Sequence, residues 1–323
     1  MPFLKFFHCV LALAVFTLIL SLAPGAKAQT ELNFGIISTE SSQNLRPVWE
    51  PFLEDMAKET GYKINAYFAT DYAGIIEGMR FNKVQLAWYG NKSAMEAVDR
   101  ADGEVFMQTV NADGTAGYYS HLIVNSASPI NNLDDLWRDA ANLSFANGDP
   151  NSTSGFLVPG YYVFAVNGKD PKTTFKRIII GSHEANALSV ASGQVDVATC
   201  NSEAIERLKV TYPDRVKDIK IIWTSPIIPS DPLVRRVDLD PNIKKTIDDF
   251  LLAYGQRGVQ RELDILNALQ WKGFKRSDNN QLIPIRQLEL FKEKTTLENA
   301  ATGSDADKKR LAEIDQELAA LGK

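Results

Sequence analysis

Three observations predict an α/β fold in two lobes. Short apolar runs that read as strands alternate with amphipathic helical stretches along most of the chain. Such alternation implies a largely parallel sheet covered on both faces. The series occurs twice, and about 295 residues remain once an amino-terminal signal is set aside, more than one typical domain holds. A polar, proline-rich turn, Thr224-Ser-Pro-Ile-Ile-Pro-Ser-Asp-Pro232, then reads as a return crossing that lets later helices complete the first lobe.

The amino terminus fixes the expected compartment. Lys5 supplies a positive start, Cys9 to Leu22 is an apolar run, and Ala26-Lys27-Ala28 is a small-x-small cleavage signal. The run is short against the roughly 20 residues a membrane span needs. A signal peptide over 1–28, cleaved after Ala28, and a periplasmic product are expected. Cys200 is then the one remaining cysteine, so no internal disulfide is possible, and its apolar context reads as a buried strand end. Losing Lys5 and Lys27 takes the formal charge from −5 to −7, which excludes nucleic acid as a natural partner.

The elements follow in order. Leu32–Ile37 reads as a strand, Pro47–Lys58 as a helix, Lys63–Phe68 as a strand, and Tyr72–Phe81 as a helix with Ile75, Ile76 and Met79 on one side. Val84–Tyr89 is strand and Ser93–Asp99 helix. The second series runs from His121–Asn125 through Leu133–Trp137, Leu143–Ala146, Arg177–Gly181, Ala185–Ser192 and Val195–Thr199 to Lys220–Trp223. Helices over Pro241–Tyr254 and Arg261–Leu269 follow. Leu311, Ile314, Leu318 and Leu321 form a short a/d stripe in a charged tail, fit to cover a partner subunit or its own lobe. The expected boundaries are a discontinuous first lobe over 31–119 and 226–290, a second over 120–225 with the crossover segments, and a helical tail over 291–323.

One loop carries the chemistry. Leu143-Ser-Phe-Ala-Asn-Gly-Asp-Pro-Asn-Ser-Thr-Ser-Gly155 is a strand and turn leading to three hydroxyl residues where a helix begins. Unpaired N–H groups and the helix dipole favour an anion there. Ser152, Thr153 and Ser154 add donors, and Gly155 lets a ligand approach the backbone. No lysine or arginine lies between Asn142 and Val166, so the donors are neutral, which suits capture followed by release. The same residue types are ordinary N-caps, so the cluster alone equally opens a helix that binds nothing. Pro159-Gly160 implies a kink, or a regular helix that starts near Pro159.

Catalytic signatures are missing. Outside the signal there are two histidines, His121 and His183. There is no His-Glu-x-x-His, cysteine pair, Gly-x-Ser-x-Gly elbow or phosphate loop, so no metal and no cofactor is expected. Two lobes, a neutral anion site and an export signal point to an extracytoplasmic solute receptor rather than an enzyme.

Longer stretches are similar to a known family. Asn33-Phe-Gly-Ile-Ile-Ser-Thr-Glu-Ser-Ser-Gln-Asn-Leu45, Asp71 to Lys83 and Ala87-Trp-Tyr-Gly-Asn91 resemble the periplasmic phosphonate-binding proteins of ABC importers. So do Gly148 to Tyr162, Gly181-Ser-His-Glu-Ala-Asn-Ala-Leu188 and Ile228-Pro-Ser-Asp-Pro232. The likeness covers about Leu32 to Lys292. It implies a type II periplasmic-binding-protein fold, two lobes joined by two crossing strands around a ligand cleft, with a C-terminal helical extension here. It implies that Ser152, Thr153, Ser154, Tyr118 and His183 bind the phosphonate. Glu203 and Asp231 then take a ligand ammonium, and Tyr72 is an aromatic cleft residue. Read singly, His183 is a structural histidine, the carboxylates are solvated or capping groups, and the tyrosines are core or surface aromatics; it is their joint presence that favours ligand contacts. The chain departs from the family pattern at Arg235-Arg236 and at Cys200-Asn-Ser beside Glu203. The implied function is capture of alkylphosphonates, above all 2-aminoethylphosphonate, for a membrane permease, with a homodimer through the tail as a further possible contact. The alternatives are a receptor for phosphite or phosphate, and a secreted phosphoester or phosphonate hydrolase with Ser152 or Ser154 as nucleophile and His183 as base.

Overall fold

The strands gather into two sheets and a small crossing pair. The computed structural model describes residues 29–300 and 303–322. The expected signal peptide and its cleavage point lie outside the described residues.

The first sheet takes β1 (Glu31–Ile36), β2 (Lys63–Phe68), β3 (Leu86–Trp88) and β4 (Gly103–Asn111). A two-residue strand, β5 (Gly117–Tyr118), leads out of it to β6 (Ser120–Asn125), β7 (Ser144–Asn147), β8 (Arg177–Ile180), β9 (Val197–Asn201) and β10 (Ile219–Thr224). The chain returns through β11 (Ile228–Pro229) to β12 (Pro232–Arg236) and later β13 (Trp271–Arg276). The sheet orders are β13-β4-β12-β3-β1-β2, β10-β6-β9-β7-β8 and β11-β5.

Each large sheet has its own apolar core. Trp49, Phe52, Met56, Ile75, Trp88 and Trp271 are among the residues that fill the first lobe. Phe145, Phe164 and Val197 pack on one face of the second sheet and Ile123, Ala198 and Cys200 on the other. Between the sheets β5 pairs antiparallel with β11, Tyr118 opposite Ile228 and Gly117 opposite Pro229. A Cβ on Gly117 would meet the Ile228 carbonyl oxygen at 1.8 Å, so only glycine lets these two segments run side by side.

The first sheet is mixed, not largely parallel as the alternation implies. β1 pairs parallel with β2 and β3, but β12 runs antiparallel to β3 and β4, and β13 antiparallel to β4. The difference comes from three strands the sequence pattern hides: β12, which starts in the proline-rich turn read as a crossing, β4 and β13. β4 is buried along most of its length, so it shows no alternation. β13 is an edge strand, and its Lys272, Lys275 and Arg276 mask it while blunting that edge.

The first helix also begins earlier than Pro47 suggests. It spans Ser42–Thr60 with Pro47 and Pro51 inside, capped by the Ser41 side chain, which accepts from Asn44 N. An interior proline costs about 3 kcal/mol. Burial of Leu45, Trp49, Phe52, Leu53 and Met56 along one stripe offsets that cost, since each large apolar side chain contributes about 1.5–3 kcal/mol.

The tail resolves toward its own chain. The helix Asp305–Leu321 packs against Ile283–Ala300, burying Ile314, with Arg310 paired to Glu293 and Lys294 to Asp315. None of the described helices is long and apolar enough to cross a membrane.

Candidate functional site

β7 ends at Asn147 and the chain turns back on itself, Gly148 N donating to Gly155 O at 3.0 Å. Ser152 caps the helix that follows, its Oγ accepting from Gly155 N at 2.9 Å. The first turn, Thr153–Leu157, is π-helical, and Leu157 N reaches back to Ser152 O. The N–H groups of Thr153 and Ser154 precede that bond and are the free donors a helix start offers. Pro159 does not restart the helix: a second π-helical turn, Gly160–Phe164, continues it. Wide turns of this kind recur at functional sites.

Gly155 plays a different part from the one its lack of a side chain suggests. A Cβ there would meet Ser152 Oγ at 2.9 Å, Gly148 Cα at 3.0 Å and His183 Cε1 at 3.2 Å. Its bare Cα is taken up by this chain's own packing, not by a ligand.

His183 opens the helix His183–Ala191 under a Ser182 cap. Its Nε2 lies 3.5 Å from Ser152 Oγ and 3.4 Å from Ser154 Oγ, while its buried Nδ1 has no partner among the described residues. Burial, and then the charge of Arg207, lower its pKa to about 3. The ring is therefore neutral and donates through one nitrogen. A hydroxyl beside a histidine resembles a nucleophile and base, but no acid orients Nδ1 and so low a pKa makes a poor base.

The two acids come from different sheets, Glu203 after β9 of the second and Asp231 before β12 of the first. Glu203 is the second residue of the helix Ser202–Thr211, whose cap Asn201 also donates to Ser154 Oγ at 3.4 Å. Asp231 sits between β11 and β12, buried, with Oδ1 unpartnered. Burial raises both carboxyls. For Asp231 the charge of Glu203 adds to this, while Tyr118 and Trp88 draw it down; for Glu203, Arg207 opposes. Trp88 Nε1, also buried, meets no acceptor with hydrogen-bond geometry. Tyr118 and Tyr72 are buried, and burial and Asp231 push both phenols up; Ser152 draws Tyr72 back.

The anion end and the acid end are close. A Cβ on Gly90 would sit 3.2 Å from Thr153 Oγ1 and 3.9 Å from Asp231 Oδ1. The hydrogen bonds and electrostatic neighbours above link all eight residues expected from the sequence into one cluster between the sheets. The lobes are shut: Thr153 Oγ1 accepts from Lys92 N at 2.8 Å, Asp149 Oδ2 from Tyr72 N at 3.1 Å, and Glu184 Oε2 from Ser41 N at 2.8 Å.

Sequence reasoning misses Trp88, Glu184 and the ion pair of Arg207 with Glu40. Arg207 follows Glu203 by one helical turn, the one signal that could have found it. Of the two departures from the family pattern, Cys200-Asn-Ser touches the cluster, since Asn201 Nδ2 donates to Ser154 Oγ and Cys200 Sγ lies 3.7 Å from His183 O, whereas Arg235-Arg236 pairs with other residues. Arg235 is held by Glu104 at 2.8 Å and Asp248 at 2.6 Å in the first lobe. Cys200 is buried, its thiol pushed up to about 12 mainly by burial, and hence inert.

A family model described as the phosphonate periplasmic substrate-binding protein of ABC transporters matches residues 34–282. The chain belongs to this family. A phosphonates-binding periplasmic protein of Escherichia coli K12 is 55% identical over 301 residues, covering 93% of this chain and 88% of that one. The crystal structure of a binding-protein component of an ABC phosphonate transporter from Pseudomonas aeruginosa superposes with a TM-score of 0.89 at 56% identity. That match covers 91% of this chain and 97% of the other. A phosphate-import protein of Mycolicibacterium smegmatis is 27% identical, with 66% and 68% covered. This phosphonate-binding protein is accordingly a periplasmic receptor of an ABC transporter and not an enzyme.

Proposed function

We propose that the ligand is 2-aminoethylphosphonate, handed to the permease from the closed cleft. The observation that carries this is the pair Glu203 and Asp231, one half-buried and one buried carboxyl, both raised by desolvation and gathered beside a cradle of neutral donors. Ser152, Thr153, Ser154, Tyr118 and His183 then hold the phosphonate, Glu203 and Asp231 the ammonium, and Tyr72 lines the space between. Three tetrahedral oxygens suit clustered N–H and O–H donors. Lobes over 31–119 with 226–290 and over 120–225 would close about the β5–β11 crossing as a hinge. Only the closed form would dock productively. The tail's stripe is accounted for by its own chain; a homodimer through it would appear as twice the monomer mass in sedimentation.

The phosphate-import relative favours a second reading, a receptor for phosphate or phosphite. Two carboxylates in a closed cleft repel a small anion that brings no cation, which speaks for the aminated ligand. Calorimetry with aminoethylphosphonate, methylphosphonate, phosphate and phosphite separates the readings: strongest binding of an ion without an amine would reject ours.

His183→Ala should weaken every phosphonate, aminated or not, and His183→Gln should keep part of the affinity because its amide still donates. Loss confined to aminated ligands would put His183 at the wrong end of the cleft.

A pH series gives an independent check. Both carboxyls are raised in the closed cleft, and a bound ammonium lowers them. Measured from the open, solvated cleft, closing on the amine therefore takes up fewer protons than closing on a ligand without one, so its relative affinity falls as pH drops through the raised carboxyls. Methylphosphonate leaves the carboxyls raised, takes protons up on closure, and should hold or gain affinity over that window. Tyr72 and Tyr118 are pushed up, Arg207 stays protonated and His183 is already neutral, so none of them titrates there. Below about pH 6 both ligands are near the monoanion, by analogy with phosphate esters. The affinity ratio should therefore fall with pH; a flat ratio contradicts the ammonium reading.

A further inference from the structure

Arg207 brings a buried positive charge to the place where a ligand ammonium is expected. It stands one turn after Glu203 on the helix Ser202–Thr211, and Glu-then-Arg at this spacing is the favourable order for an intrahelical pair. The guanidinium instead reaches across the cleft and pairs with Glu40, in the loop after β1. Both side chains are nearly enclosed, at 15% and 7% exposed. Glu40, Arg207 and Glu203 all line one cavity of about 20 Å³, walled by Trp49, Trp88 and Trp271. A space of that size admits about one water, so little solvent screens these charges from one another.

We propose that Glu40 is a specificity-determining residue that never touches the ligand: by pairing with Arg207 across the lobes, it leaves the negative charge of Glu203 for the ligand ammonium. Without Glu40 the guanidinium keeps one acid beside it, Glu203, and cancels it. The cleft then offers the ammonium a single effective carboxylate, Asp231. The pair joins opposite lobes, so the correction is complete only on closure, when the amine is read. Burial works against the charge on Arg207, but Glu40 and Glu203 outweigh it and keep the guanidinium protonated. The inference rests on the reading of Glu203 and Asp231 as the ammonium site.

The test is the affinity ratio of 2-aminoethylphosphonate to methylphosphonate, by calorimetry. Glu40→Gln should lower it on the order of tenfold, the size of one charge interaction over several Å at intermediate dielectric. Glu40→Gln with Arg207→Gln removes both charges of the pair and should restore the ratio toward wild type. Arg207→Gln alone should hold or raise it, and serves where Glu40→Gln fails to fold. If Glu40 only latches the lobes, both ligands weaken by the same factor and the second substitution rescues nothing. An unchanged ratio in Glu40→Gln, a double variant that stays low, or a lowered ratio in Arg207→Gln overturns the inference while the ammonium site stands. A wild-type protein that binds the two ligands alike overturns both.

Discussion

Replacing Ser152, Thr153 and Ser154 together by alanine is expected to abolish phosphonate binding. A hydrogen bond to a charged group contributes about 1.5–3 kcal/mol, so three such losses amount to three or more orders of magnitude in affinity. Part of the change will fall on stability. Ser152 Oγ caps Gly155 N, and losing a cap costs about 1 kcal/mol; Thr153 Oγ1 accepts from Lys92 N across the lobes. The melting temperature should drop by a few degrees while the far-ultraviolet spectrum keeps its α/β form. Ser154→Ala is the cleaner single change. Its hydroxyl has only the long contacts to His183 Nε2 and Asn201 Nδ2, both at 3.4 Å, and caps nothing. It should weaken binding about 10- to 100-fold with little change in melting. Unchanged affinity in the triple variant would sink the assignment of this helix start as the anion site.

The legibility of this chain in sequence follows from what each residue's role depends on. The hydroxyl cluster is readable because a helix start needs a fixed order of residue types over a few positions, and that order survives as text. Tyr72–Arg80 is readable because it presents one solvent face and buries Ile75, Ile76 and Met79 on the other. β4 is not, since burial on both faces erases the period that marks a strand. The run 153–167 shows a subtler gap. Its hydroxyls and Pro159-Gly160 are plain in sequence, but the choice of π-helical turns depends on packing that no local pattern records. Arg207 marks the sharper limit. It is separated from Glu40 by 167 positions, so only the closed arrangement of lobes brings them together. A sequence count finds no cation between Asn142 and Val166, yet in the fold Lys292 sits over the Phe156 ring, and a guanidinium lowers the pKa of the histidine that faces the hydroxyl loop. In sequence Trp88 is one residue of the stretch Ala87–Asn91; its Nε1, without a partner among the described residues and close enough to Asp231 to lower its pKa, becomes a polar feature of the cleft only once β3 and β12 are paired.

Glu203→Gln with Asp231→Asn is expected to remove the preference for an aminated ligand while sparing phosphonate affinity. In the closed cleft both carboxyls are held above their usual range, by burial first, so closing around a ligand without an amine leaves them to be desolvated or protonated. A bound ammonium meets them as charge-assisted hydrogen bonds at low dielectric, where such contacts are stronger than in water. The two carboxylates therefore favour one ligand and penalise the other. Amides of the same shape keep the packing against Tyr118 and Trp88 but carry no charge. Aminoethylphosphonate should lose about two orders of magnitude or more, since two charged contacts become neutral ones. Methylphosphonate should change little or bind more tightly, because no buried charge is left unpaired on closure. Arg207 sets a limit on how far the single variants can go. Glu203→Gln also removes one of the two acids beside the guanidinium, which stays paired to Glu40, whereas Asp231→Asn leaves that pair undisturbed. Both ligands should be titrated by calorimetry into wild type, each single variant and the double variant. If their affinity ratio is the same in the double variant as in wild type, these carboxylates do not read the amine, and aminoethylphosphonate loses its physical support as the ligand.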